Sequence, residues 1–179
     1  MNFVNPKHER WFTVTGEDGP MVTLTPAPYS LLSLTQWHSA RAHWPIAMPV
    51  GVQLPNDTEL SEISADLDRI DLIVLHFPKW TDGRAYSQAR VLRARHRFDG
   101  QIRASGDVVV DMMPLLQRCG FDAVVLRGDQ SRTTAEQALL RFTAHYQGDV
   151  RQHRPIFERS PDELGQLTGR TFIETGASI

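Results

Sequence analysis

At 179 residues, 41% hydrophobic and 22% charged, the chain has the length and composition of one globular domain with a core of ordinary size. No apolar run approaches the roughly 20 residues needed to cross a bilayer, so no membrane-spanning segment is expected. A formal charge of -2 leaves no basic excess for a long phosphate footprint, and the single cysteine, Cys119, rules out an internal disulfide and a protein-only iron–sulfur ligand set.

The polar stretch Met1 to Arg10, with Pro6, lacks the apolar core of a secretory signal, and a cytoplasmic location is expected. Phe12-Thr-Val-Thr, the turn formers Gly16 to Gly19 and Met21-Val-Thr-Leu-Thr read as a β-hairpin. Ser30 can cap a helix carrying Leu31, Leu34 and Trp37 at helical spacing, ended by Pro45. Short apolar runs and helical segments then alternate. Val50 to Leu54 is a strand, a helix capped by Asp57 or Thr58 runs to about Leu67, and Asp71 to Phe77 is an apolar strand buried on both faces. The next helix has Ala85, Ala89, Leu92 and His96 on one face and turns Arg90, Arg93 and Arg97 outward.

Gln101 to Ala104 gives a third strand. The following helix starts at Asp107 or Asp111 and stops at Gly120, a left-handed cap; the later start is preferred because it places Pro114 in the first turn. Phe121 to Leu126 is a fourth strand. Thr133-Thr-Ala-Glu136 is a capping box for a helix bearing Ala135, Leu139, Phe142 and Tyr146. Residues 150–179 form a polar tail with one short helix from Ser160-Pro161.

The expected fold is therefore α/β, about four βα units forming a parallel sheet, either half-barrel-like or open and Rossmann-like. Residues 1–48 make an N-terminal hairpin and helix, 49–149 the βα core and 150–179 the tail. A four-stranded sheet leaves an edge and an apolar face to cover, and a two-fold homodimer is expected for that reason.

Right-handed crossovers bring the C-terminal ends of the strands to one edge, where ligands bind. Delivered there are Asn56 and Asp57, Lys79 to Arg84, Ser105 to Asp107, and Arg127 to Gln130. The aspartates can be helix caps or site residues. Arg84 opposes a helix dipole unless Asp82 or a bound anion lies close, so it reads as a structural clamp or an anion ligand. Lys79 is a solvated charge or part of that site, and Trp80 an anchor or a stacking platform. His76 is a hydrogen-bonded core histidine or a general base. The anion- or substrate-binding candidates are Lys79, Trp80, Asp82, Gly83, Arg84 and Asp129, and the acid–base candidates are Asp107 and His76. Arg90, Arg93, Arg95 and Arg97 are a solvated face or a patch for an acidic protein, and Cys119 is inert core. His38 and His43 miss helical ligand spacing, and no metal site is assigned. No phosphate-binding glycine loop and no Gly-x-Ser-x-Gly elbow is present, and no flavin, nicotinamide or cluster motif is visible, which leaves the cofactor unknown.

Three blocks stand out: Phe77-Pro-Lys-Trp-Thr-Asp-Gly-Arg-Ala-Tyr-Ser-Gln-Ala-Arg90, Arg103-Ala-Ser-Gly-Asp-Val108 and Arg118-Cys-Gly-Phe-Asp122. Over residues 30 to 147 the chain resembles the bacterial family called domain of unknown function 934. Trp80 stands where that family is expected to carry Phe, and Val-Val-Val-Asp-Met-Met-Pro replaces a more polar helix start. Members are commonly encoded beside sulfite reductase and labelled oxidoreductases of sulfite reduction. The resemblance thus implies an accessory role in assimilatory sulfite reduction, binding a small oxyanion or the reductase at the sheet edge, and it implies no catalytic residues. The alternative is an enzyme acting on a small anionic metabolite, with an Arg84 and Lys79 clamp and Asp107 or His76 as acid or base.

Overall fold

Leu72 to Leu75 alternates two apolar sets, and both are buried, so a strand at this position must be covered on each face. The computed structural model describes residues 1–14, 24–141, 146–150, 153–160 and 163, and it places this strand in the middle of a parallel sheet. The strands are β1 (Asn2–Phe3), β2 (Phe12–Thr13), β3 (Ser30–Ser33), β4 (Val50–Leu54), β5 (Leu72–Phe77), β6 (Gln101–Gly106) and β7 (Ala123–Val124). The helices are α1 (Leu34–Ala40), α2 (Arg84–Ala94), α3 (Met113–Cys119) and α4 (Arg132–Leu140).

The seven strands lie in the order β1-β7-β6-β5-β4-β3-β2, every pair parallel. From β2 to β7 spatial order follows chain order, so successive right-handed crossovers stack their helices on one face. That face holds the main core, where Ile73, Leu75 and Phe77 pack with Ala85, Ala89, Leu92, Leu116 and Phe121. The sheet is the curled half-barrel form of the expected α/β fold.

Chain length explains the curl. In a flat sheet β1 and β2 would stand about 29 Å apart, at about 4.8 Å per strand. The chain from Phe3 to Phe12 contains a 3-10 turn at Pro6–His8 and reaches only about 26 Å. Residues 4–11 therefore act as a strap across the face without helices. Trp11 packs there with Leu31, Leu72 and Val74, and Glu9 pairs with Arg103 of β6 at 3.2 Å.

Several expectations need correction. Phe12–Thr13 pairs in parallel with Ser30 and Leu31 rather than across a hairpin; the expected turn and the start of the second arm lie outside the described residues. Ser30 is a buried strand residue, and the cap of α1 is Ser33, whose capping box with Gln36 has bonds of 3.2 and 2.8 Å. Between Asp57 and Leu67 the chain forms 3-10 turns at Leu60–Glu62 and Ser64–Arg69 instead of an α-helix. Ser and Asp are frequent there and compete with the helical ladder, as Ser64 does by donating to Ser61 O at 3.1 Å. Arg93 points inward, pairing with Asp122 and donating to the carbonyls of Phe98, Gly100 and Gly120. The cap of α4 is Ser131 rather than Thr133. Phe142, Pro161 and most of the tail lie outside the described residues.

Other expectations match. Pro114 sits in the first turn of α3, after a 3-10 turn at Val110–Met112, and Gly120 is left-handed at φ 96°. β1 and β2 extend the expected sheet beyond β7 and β3 and form its two outer edges, and Trp11 packs on the face without helices.

Candidate functional site

The loop from β5 to α2 is tied down at Asp82. Its carboxylate accepts from Arg84 Nε at 3.0 Å and Arg84 Nη2 at 2.7 Å, a bidentate pair, and from the Arg84 backbone N–H at 3.2 Å. Asn56, buried after β4, donates Nδ2 to the same carboxylate at 2.7 Å. The Arg84 hydrogen bonds hold the Asp82 carboxyl far below its usual range, and Asp82 in turn pushes the Arg84 guanidinium up. Gly83 has φ -83°, and a Cβ there would meet nothing nearer than Tyr86 Cδ2 at 3.9 Å, so the position does not require glycine.

A second brace starts from Asp107, which follows the left-handed Gly106 at φ 92°. Its backbone N–H donates to Phe77 O at 2.8 Å. Its carboxylate accepts from the Trp80 backbone N–H at 2.9 Å and from Arg127 Nη1 at 2.6 Å. The other side of the Arg127 fork is bidentate on Asp129, at 2.7 and 2.8 Å. The Trp80 N–H first and Arg127 second lower the Asp107 pKa; Arg127 brings that of Asp129 down to about 2. Arg127 is itself pushed up, mainly by Asp129 and then by Asp107.

Chemically the two braces are the same device in mirrored order, Asp82-x-Arg84 and Arg127-x-Asp129, joined through Asp107 and the Trp80 backbone. Both guanidinium forks are committed to carboxylates. None of these aspartates is the N-cap of a helix: α2 starts from Gly83 without a side-chain cap, although Asp82 accepts from the Arg84 N–H, α4 is capped by Ser131, and α3 has no side-chain cap. Arg127 and Asn56 lie on the expected edge but were not expected in the site. The mirrored Arg-x-Asp spacing is a signal for Arg127 in the sequence, whereas Asn56 has none.

Lys79 and Trp80 stand outside the network, and Trp80 is 55% exposed although its backbone is pinned. The Lys79 ammonium has no hydrogen-bond or ion-pair partner among the described residues. His76 lies on the strapped face, half-buried, with Nδ1 3.4 Å from Ser105 Oγ. Cys119 is buried, and burial raises its thiol pKa, the setting of an unreactive core thiol. Among the described residues no group of three or more His, Cys, Asp or Glu is placed to hold a metal, and no helix is long and apolar enough to cross a membrane.

These carboxylates set a pH dependence. Their pKa values are lower folded than unfolded, so the stability they contribute is complete above about pH 5 and is lost as pH falls through 4 toward 2. Urea midpoints should fall in that window. In Asp129→Asn the decline should be shallower, and an identical pH profile in that variant would exclude this origin.

A search of curated proteins finds no match to the chain. The family described as bacterial protein of unknown function (DUF934) matches residues 51–157. That span runs from β4 to the 3-10 turn at Ile156–Glu158 and contains every residue of both braces. The chain belongs to the bacterial DUF934 family.

Proposed function

We propose that this protein is an accessory of assimilatory sulfite reduction that docks on a protein partner through the Trp80 loop, with sulfite reductase as the partner the family resemblance implies. The observation that carries the docking reading is Trp80, a large aromatic side chain 55% exposed on a loop whose backbone is fixed by Asp107. Rigid exposed tryptophan is the side chain that most often dominates an interface, because it buries much area at little entropic cost. Lys79 beside it supplies a charge for an acidic rim. The Arg84 arm of the expectation has less support, since an anion there must displace a carboxylate already held by two bonds.

The enzyme reading rests on a different observation, the approach of His76 Nδ1 to Ser105 Oγ. Asp107, ionised and accepting two hydrogen bonds, is suited to bracing. Growth separates the readings. Deleting the gene should slow growth on sulfate as the only sulfur source and leave growth on cysteine unchanged. Trp80→Ala should fail to restore growth on sulfate while melting within about 2 °C of wild type, as a surface substitution does. A deletion strain that grows normally on sulfate would sink the pathway, and restoration by Trp80→Ala but not by His76→Gln would favour the enzyme.

A further inference from the structure

The outer side of α2 borders a cleft that neither the braces nor Trp80 use. One wall is the chain from Thr58 to Ser64, the other is α2 with Arg95 and His96 at its C-terminal end, and the volume between them is about 490 Å³. Gln88 ties the walls together at one end, donating Nε2 to Pro55 O at 3.0 Å and to Thr58 O at 3.1 Å. Arg95 lies two turns further along α2, about 10 Å away at the rise of an α-helix. The cleft is therefore a trough along the helix, with Glu59 beside the tie and Arg95 and His96 at the far end.

Its apolar surface comes from both walls, Leu60 on one and Val91, 37% exposed, on the other. Ser61 and Ser87 are exposed and place a hydroxyl on each wall, neither with a hydrogen-bond partner among the described residues. The Arg95 guanidinium and the His96 ring have no hydrogen-bond or ion-pair partner among the described residues, and neither does Arg97, next in the chain. A chain of formal charge -2 thus gathers unbalanced basic groups at one end of this trough.

We propose that the trough takes a short, extended, acidic segment of a partner protein, with one aliphatic side chain between Leu60 and Val91 and one carboxylate on Arg95 and His96. Three or four extended residues cover about 10 to 14 Å, which matches the trough. An extended segment offers free N–H and C=O groups on both sides, where Ser61 and Ser87 stand, whereas a helix keeps its own engaged. Glu59, Ser61, Ser87, Val91 and Arg95 are all exposed, so the trough is open along its length and suits a chain laid over it better than a small molecule, which needs enclosure. No aromatic ring lines it, so a nucleic acid finds nothing to stack on. Trp80 does not line the trough either, so failure here would leave the Trp80 docking reading standing, and the reverse holds.

Titration of the isotope-labelled full chain with acetyl-Ala-Leu-Val-Glu-amide and with acetyl-Glu-Leu-Val-Ala-amide, followed by NMR, tests the assignment. Saturable shifts of the Ser61, Val91 and Arg95 amides are expected with at least one of them, and the peptide that binds tighter gives the direction of the segment. Arg95→Ala, at an exposed position, should fold and bind at least about tenfold more weakly. Arg141→Ala removes another exposed, unpaired arginine from outside the cleft and should bind as wild type does. Absence of saturable shifts with both acidic peptides up to about 10 mM would overturn the proposal. Equal binding of acetyl-Ala-Leu-Val-Lys-amide, equal affinity of wild type and Arg95→Ala, or inorganic phosphate shifting the same amides at the same affinity would overturn it as well.

Discussion

Gly106→Ala is expected to lower stability by about 2 to 4 kcal/mol, the largest effect of any small substitution at the sheet edge. At φ 92° an L residue is strained, and a Cβ would stand 2.3 Å from Phe77 O and 2.7 Å from His76 Cε1. The carbonyl belongs to the neighbouring strand and cannot rotate away, so β5 and β6 must part at their ends. Parting them also disturbs the Asp107 N–H bond to Phe77 O and, through Asp107, the Trp80 loop. Gly83→Ala is the matched control. At φ -83° with open space it should change stability by less than about 0.5 kcal/mol. Urea denaturation of the two variants decides the point, and a Gly106→Ala protein as stable as wild type would contradict the tight approach of the strands.

Glu9→Ala should cost about 2 to 4 kcal/mol, although Glu9 belongs to no regular element. It leaves the buried Arg103 charge with Gln101 alone, and it removes the polar tie between the strap and β6. Burial already pulls the Arg103 pKa down, and Glu9 opposes that shift. The double variant Glu9→Ala, Arg103→Met should recover part of the loss, because a pair removed together leaves no unpaired charge. Equal destabilisation in the single and double variants would show that the strap is held by Trp11 rather than by the ion pair.

What was legible in the sequence follows from the range of each interaction. β4 and β5 announce themselves as apolar runs, α2 by the spacing of Ala85, Ala89 and Leu92, and the end of α3 by Gly120; each depends on neighbours in the chain. β1 has two residues, and its partner in β7 lies more than a hundred positions away, so no local periodicity marks it. Ser30 to Ser33 misleads for a related reason. Leu31 and Leu32 are buried on opposite faces of the sheet, yet Leu31 with Leu34 and Trp37 mimics a helical stripe. Arg93 is read as solvent-facing because its partners are carbonyls after α2 and after α3 and a carboxylate before β7, which only the fold brings together.

At the site, the loops and most of their charged residues are visible from the placement of strand ends alone. Their connections are not. That Asp107 braces Trp80 and Arg127 depends on β6 lying between β5 and β7, and that Arg103 meets Glu9 depends on a strap crossing the sheet.

The docking claim is tested most directly by titrating purified sulfite reductase with the wild-type protein and with Trp80→Ala in a calorimeter. Saturable binding by wild type, weakened at least about tenfold in a Trp80→Ala protein of unchanged melting temperature, is the expected result. Absence of binding, or equal affinity of the two proteins, would contradict it.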